Sequence, residues 1–270
     1  MPSASPKTAP NALARAQQAA ASGDLSGAEA ILVRHLQRKA KDAEALALAG
    51  ILALQRGAAP EALRRLRKAA KLKPGDATVL TNLGIAEEAA GQPDAAVASL
   101  TQACRLRPDF AQAAYNLGLL LHRLERSAEA VDALTRACDL EPGYGKARSA
   151  LAGALLDLGL PTEALTAALE ALAISESEDT RLTAGLAAKA LGEWAQAVAH
   201  LEQAGDRPEV LLELAHCRQE TGESAAAQAA YRAALRQDPS LYAAAVKRLV
   251  SAAKGELPLQ PTELRAWLLG

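Results

Sequence analysis

A spacing of 34 residues recurs along most of this 270-residue chain and constrains its fold more than any other feature. Asn82-Leu83-Gly84 returns as Asn116-Leu117-Gly118, and prolines stand at positions 74, 108 and 142. Apolar positions with the same step are Ala62, Ala96, Ala130 and Ala164; Leu66, Leu100 and Leu134; and Ala69, Ala103, Ala137 and Ala171. A fixed period of this length is typical of stacked repeats, which bury their apolar surfaces against their neighbours.

The amino-acid composition predicts that each repeat is helical. Hydrophobic residues make up 50% of the chain but aromatic residues only 3%, so alanine and leucine dominate the apolar positions. Alanine lets helix axes approach closely, and both residues have high helix propensity. No stretch alternates between apolar and polar residues as a half-buried strand does. We therefore predict an all-α fold.

The repeated positions resemble the tetratricopeptide repeat (TPR) family. In that family a large apolar residue is followed by Leu-Gly, a small turn residue, an alanine, a second large residue, another alanine and a closing proline. Residues 77–110 carry this pattern at Leu80, Leu83, Gly84, Gly91, Ala96, Leu100, Ala103 and Pro108. The resemblance implies a right-handed superhelical solenoid, in which helix A and helix B of each hairpin cross at small residues.

The period defines the expected domain organisation. We expect seven hairpins and a capping helix within residues 9–254, with a degenerate first hairpin and a sixth about four residues short of the period. The hairpin frames are 9–42, 43–76, 77–110, 111–144, 145–178, 179–207 and 208–241. Glycines favour the left-handed turn between helix A and helix B; they are Gly57, Gly91, Gly159, Gly192 and Gly222.

The two chain ends depart from the repeat. Residues 1–8 are predicted to be a disordered tail, and residues 255–270 a linker followed by a short amphipathic helix with Thr262 as its N-cap. That helix shows Leu264, Trp267 and Leu268 on one face. Because so short a helix is unstable alone, it either packs back on the capping helix or docks on a partner or a second copy, making a homo-oligomer around Trp267.

The resemblance places helix A of each repeat on the concave, ligand-binding face. Asn82 and Asn116 stand at equivalent positions, similar to the asparagine ladders with which some TPR stacks hold a peptide backbone, because an amide both donates and accepts hydrogen bonds. The alternative is that each asparagine bonds a neighbouring helix. We predict a segment with acidic groups as the ligand. The candidate peptide-binding residues are Asn82, Ile85, Tyr115, Asn116, Leu119, His122, Arg123 and Lys146.

The same reasoning extends the candidate groove to the later repeats. Its predicted positions there include Lys189 in the sixth repeat and Leu212, Glu213 and His216 in the seventh. The remaining charged stretches are interpreted as solvated helix faces. They are Glu87-Glu88 and the basic run of Arg64, Arg65, Arg67, Lys68, Lys71 and Lys73.

No motif for catalysis or metal binding emerges. There is no glycine-rich phosphate loop, no HExxH and no GxSxG, and the four histidines stand in different repeats. Cys104, Cys138 and Cys217 lack metal-ligand spacing, which indicates reduced thiols and a cytoplasmic location. We predict no cofactor and no enzymatic activity. The net charge of −1 with interspersed signs argues against nucleic acid as the main partner, and no apolar run is long enough for membrane insertion.

These observations favour a bacterial adaptor or scaffold that binds a peptide segment or helix of another protein. Two alternatives stay open. The repeats could be the accessory module of a transferase whose catalytic part is absent here, or a self-assembling structural protein.

Overall fold

The computed structural model describes residues 11–252 and 261–269. The predicted tail at 1–8 and most of the predicted linker lie outside the described residues. Sixteen α-helices and one 3-10 helix, but no strand, occur within the described ranges, which confirms the all-α prediction. The helices are α1 Ala12–Ala21, α2 Leu25–Arg38, α3 Ala43–Gln55, α4 Ala59–Leu72, α5 Ala77–Ala89, α6 Pro93–Leu106, α7 Ala111–Arg123, α8 Ser127–Leu140, α9 Gly145–Asp157, α10 Pro161–Ile174, α11 Glu178–Ala190, α12 Trp194–Leu201, α13 Pro208–Glu220, α14 Ser224–Gln237, α15 Tyr242–Ser251 and α16 Pro261–Leu269, with the 3-10 helix Pro239–Leu241 before α15.

Polar caps and glycine turns set the ends of these helices. The side chains of Asp42 and Asp76 accept hydrogen bonds from backbone N–H groups in the first turns of α3 and α5. Helix A then ends where the chain turns left-handed, as at Gly57 and Gly91 with φ of 73° and 72°. Glu125 takes this conformation in the fourth repeat, with φ of 59°, although it is not glycine.

A glycine on helix A lies opposite a leucine on helix B in several hairpins. A Cβ atom built on Gly84 would lie 2.6 Å from Cγ of Leu100, and one on Gly50 would lie 2.5 Å from Cγ of Leu66. Gly185 and Leu201 repeat the arrangement at 2.7 Å. Each leucine is essentially inaccessible to solvent, so the glycine lets the two helices close over it. We call this arrangement the glycine–leucine notch.

The fifth hairpin fills the same position differently. Ala152 stands where the notch has glycine and Ala168 where it has leucine, and both are fully buried. A larger residue on helix A is thus matched by a smaller one on helix B, as close packing of an interior requires.

The helices form two units, residues 1–124 and 125–270, which we call unit 1 and unit 2. In unit 1, helix B of each hairpin packs on its own helix A and on the next one, while α3 contacts α5 and α5 contacts α7. In unit 2, α9, α11, α13 and α15 follow one another in the same way. The A helices of successive repeats therefore line one continuous face within each unit.

Two helices cover the last hairpin. α15 packs on α13, whereas α16 packs on α14. Leu249 of α15 and Leu268 of α16 are fully buried in one cluster with Tyr231, and the rings of Tyr231 and Trp267 are 6.2 Å apart. The backbone oxygen of Trp267 accepts hydrogen bonds from Gln228 and Arg232 at 2.9 and 3.0 Å. The C-terminal helix thus uses its apolar face within the chain.

The start of α16 corrects one prediction. The helix begins at Pro261 and includes Thr262, so Thr262 is not the N-cap that the sequence pattern predicts. Proline suits the first turn of a helix, because the N–H that it lacks would have no partner there.

Candidate functional site

Two contacting helices of unit 1, α5 and α7, carry seven of the eight predicted binding residues. Six of these side chains are half-buried and Arg123 is exposed. They share one side of the helices because their spacing follows the helical period. We call this surface the A-helix face of unit 1; its residues are Asn82, Ile85, Tyr115, Asn116, Leu119, His122 and Arg123.

The two asparagines leave complementary hydrogen-bonding groups on this face. The Nδ2 group of Asn82 donates to the backbone oxygen of Thr78 in its own helix at 2.9 Å. The Oδ1 atom of Asn116 accepts from Nε2 of Gln112 at 3.1 Å, while the Nδ2 group of Asn116 is buried without a partner among the described residues. Asn82 therefore offers its carbonyl oxygen as an acceptor for a peptide N–H, whereas the donor of Asn116 is enclosed and would reach a peptide C=O only after its side chain turns outward.

Arg123 already has a carboxylate partner. Its guanidinium forms an ion pair with Glu88 of α5, and the two side chains are 60% and 27% exposed. The positive charge of Arg123 is thus partly neutralised, and Glu88, which the sequence pattern places on a solvated face, belongs to the site. The neighbouring Glu87 corrects the prediction of a solvated pair, because it is 5% exposed and accepts a hydrogen bond from Ser99 at 2.7 Å.

The remaining predicted positions have separate surroundings. Burial raises the pKa of Tyr115, so its phenol stays protonated and able to donate. Thr81, beside Asn82 on α5, is buried and donates to the backbone oxygen of Ala77 at 2.8 Å. Lys146 is an exposed residue of α9 in unit 2, and its role stays a prediction.

On the corresponding face of unit 2, charged side chains form ion pairs with one another. Glu213 of α13 accepts from Lys189 of α11 at 2.5 Å and from Arg248 of α15 at 2.5 Å. Its side chain is only 13% exposed. Burial raises the pKa of this carboxyl, but the hydrogen bonds and charges of Arg248 and Lys189 outweigh that effect, so the pKa lies below its ordinary value. We call these three residues the charged triad.

The structure also corrects the predicted groove in the seventh repeat. Leu212 is 1% exposed and His216 is 7% exposed, because α15 packs over α13. The Nδ1 atom of His216 lies 3.2 Å from the backbone oxygen of Arg248, and Trp194 meets its ring edge-on at 5.8 Å. Burial is the main reason that the pKa of His216 is lowered, with Lys189 adding to it.

The described residues contain no group of three or more histidine, cysteine, aspartate or glutamate side chains that could hold a metal ion. None of the described helices has the length and apolar character needed to cross a bilayer.

Comparison with known proteins decides the family. Models of the tetratricopeptide repeat match residues 81–145, 128–179 and 208–241. The chain is a tetratricopeptide repeat protein. No curated protein sequence matches it closely enough to count as a relative.

Solved structures of other TPR proteins resemble this one. TTC0263, a thermophilic TPR protein of Thermus thermophilus, is 27% identical with a TM-score of 0.52, over 67% of this TPR chain and 97% of its own. PilF of Pseudomonas aeruginosa is 19% identical with a TM-score of 0.67, over 77% of this chain and 96% of its own. YrrB, described as a TPR protein with an unusual peptide-binding site, is 22% identical with a TM-score of 0.55, over 64% and 90%. These likenesses agree with the tandem hairpins of both units.

Proposed function

We propose that this TPR protein is a non-catalytic adaptor that holds a peptide segment of another protein against the A-helix face of unit 1. The observation that carries the proposal is the pair of unused amide groups, the Oδ1 atom of Asn82 and the buried Nδ2 group of Asn116. A buried donor without a partner costs free energy, about 1–3 kcal/mol, which a ligand carbonyl would recover once the Asn116 side chain turns outward.

The surroundings of these amides define the ligand. Ile85 and Leu119 are half-buried and supply apolar contact beside the polar groups. Arg123 attracts acidic side chains, although a ligand carboxylate has to compete with Glu88. We therefore propose an extended or helical segment that combines apolar side chains with at least one acidic group.

One feature of the chain supports an adaptor over a self-assembling protein, and another supports a cytoplasmic location. The apolar face of α16 is used against α14, so it is not available to a second copy unless the helix detaches. Cys138 and Cys217 are buried free thiols, which fits a reducing compartment. We infer a cytoplasmic location on this basis.

A peptide-display selection tests the proposal. Peptides that bind the wild-type chain are selected from a random twelve-residue library. Their affinities for the wild type and for the variant Asn82→Ala/Asn116→Ala are then measured by fluorescence anisotropy. We expect at least about tenfold weaker binding, because two hydrogen bonds in a partly buried site are removed. The pair Thr101→Ala/Gln102→Ala on α6, in which Thr101 is half-buried and Gln102 exposed, serves as the matched control. Lys146→Ala measures the contribution of the eighth predicted residue.

The proposal fails if the selected peptides bind the double asparagine variant as tightly as they bind the wild type. It also fails if the α6 control loses the same affinity. Circular dichroism of each variant verifies that the helices are intact, so that a loss of binding is not a loss of fold.

A further inference from the structure

The B-helix side of unit 1 carries a groove that the peptide-binding proposal does not use. α2 and α4 both pack on α3, and an open depression of about 270 Å³ lies between them. Val33 and Leu36 of α2 and Leu46 of α3 give it an apolar wall and floor. Val33 keeps 38% of its surface exposed, although it is a large hydrophobic residue. We call this depression the α2–α4 groove.

The opposite wall of the α2–α4 groove is basic. Arg64 is 64% exposed on its side chain and lies 3.6 Å from Glu61. Lys68, one turn further along α4, is exposed and forms no ion pair with any described residue. A second depression of about 350 Å³ continues past this pair and is lined by Arg67 and Lys71. The Arg64–Lys68 row thus faces open space on both sides.

The charge of this region differs from that of the whole chain. Residues 33–41 and 60–71 contain nine lysines and arginines but a single acidic residue, in a chain whose net charge is −1. Only part of this surplus is neutralised nearby, since Arg65 pairs with Glu61 at 2.6 Å and with Glu29 at 3.5 Å. A local excess of one sign attracts ligands of the opposite sign and speeds their association.

Repeat packing does not require these residues. One period further on, α6 has Ala98 in place of Arg64 and Gln102 in place of Lys68, yet it packs on α5 as α4 packs on α3. The apolar wall is also local, because the position equivalent to Val33 is Arg67. The first repeat thus supplies an apolar wall and the second repeat a basic wall at the same place. Packing of the repeats does not explain either wall.

We propose that the α2–α4 groove docks an acidic amphipathic segment of a partner protein. Its apolar side chains would lie against Val33, Leu36 and Leu46, and its carboxylates opposite Arg64 and Lys68. An apolar wall favours a protein segment over nucleic acid, since sugar and phosphate gain nothing from it and no aromatic side chain lines the described groove for base stacking. α4 is 14 residues long, which gives a helical ligand about 20 Å of surface.

A designed peptide tests this docking site directly. The probe is a fluorescein-labelled helical peptide of fourteen residues, with leucine at positions 4, 7, 8 and 11 and mainly glutamate elsewhere, measured by anisotropy on the full chain. The variant Arg64→Ala/Lys68→Gln gives α4 the two residues that α6 has at the equivalent positions. The matched control Ala98→Glu/Gln102→Glu changes the net charge by the same amount on the exposed surface of α6. We expect about tenfold weaker binding to the variant and less than about a twofold change for the control.

Several results would overturn the docking proposal. They are unchanged binding to the α4 variant, an equal loss for the α6 control, or equal binding of a probe with serine in place of leucine, which would show only a polyanion-binding surface. Full competition by a short RNA or DNA duplex would assign the groove to nucleic acid instead. The variant Asn82→Ala/Asn116→Ala is expected to bind the probe as the wild type does, so this site and the A-helix face of unit 1 succeed or fail separately.

Discussion

The A-helix faces of the two units solve the same packing problem in opposite ways. In unit 2 the charged triad joins three successive A helices through one nearly buried carboxylate, and α15 covers the face at the seventh repeat. In unit 1 the equivalent face keeps half-buried amides with unused groups and one exposed ion pair. The same hairpin can therefore use its A-helix polar residues to hold repeats together or leave them for a ligand.

The largest expected effect comes from removing the centre of the charged triad. Glu213→Ala leaves Lys189 and Arg248 without their shared partner, and the free energy of unfolding should fall by about 3 kcal/mol. Urea denaturation of the full chain measures this loss. A fall of less than about 1 kcal/mol would mean that the triad contributes no more than a surface ion pair and would break the comparison.

The dependence of stability on acid pH tests whether the ionised form of Glu213 provides this stabilisation. Because the pKa of Glu213 in the folded chain lies below its ordinary value of 4.5, the stabilisation is complete above that value and is lost as the pH falls through the lower folded pKa. Glu213→Gln removes this contribution. The difference in unfolding free energy between wild type and Glu213→Gln should therefore shrink below pH 4.5.

The next effect concerns the glycine–leucine notch of the third hairpin. Gly84→Ala places a methyl group against Leu100, which costs about 1–3 kcal/mol in overpacking and recovers about 1 kcal/mol of helix propensity. We therefore expect a net loss of about 1 kcal/mol. In a Leu100→Ala background, which copies the Ala152–Ala168 pair of unit 2, the same substitution should be neutral or stabilising. An equal cost in both backgrounds would rule out the notch as the cause.

A smaller gain is expected at the left-handed turn of the fourth repeat. Glu125→Gly relieves a residue held at φ of 59° and should stabilise the chain by about 1 kcal/mol. Gly91→Ala is the reciprocal change, since nothing lies within 4 Å of the added Cβ and only the backbone conformation is strained. Thermal unfolding of both variants measures the pair, and shifts of the same sign would contradict the explanation.

The smallest effect on stability is expected at the ion pair of unit 1. Glu88→Gln should change the unfolding free energy by less than about 1 kcal/mol, because Arg123 remains exposed to solvent. The same variant should strengthen the binding of acidic peptides selected on the A-helix face, since it removes the competing carboxylate. Weaker binding would show that Glu88 positions Arg123 for the ligand.

The fold was predictable from the sequence because the repeat period reflects caps, turns and packing within each hairpin. The starts of α3, α5, α7 and α9 coincide with the predicted frames, and the glycine turns have the expected positive φ. The short sixth hairpin appears as the eight-residue α12. Each of these features depends on residues within one hairpin, so no information from distant parts of the chain was needed.

The candidate site was less predictable because contacts between repeats decide it. Glu213 and His216 have the same helix-A spacing as the residues of unit 1, and only the packing of α15 shows that they are covered. Likewise, nothing local to Arg123 indicates that Glu88, 35 residues earlier, is its partner. Glu125 shows that a local feature can also escape prediction, because a residue other than glycine in the left-handed conformation leaves no signal in the sequence.

The glycine–leucine notch has a consequence for how such a gene can grow. Gly84 and Leu100 belong to one hairpin, so duplication or deletion of a whole hairpin carries both partners together. A crossover inside the turn between helix A and helix B would separate them. Joining helix A of the fifth hairpin to helix B of the third would set Ala152 against Leu100, and the reverse joint would leave a void between Gly84 and Ala168. Recombination is therefore tolerated between hairpins and penalised within them.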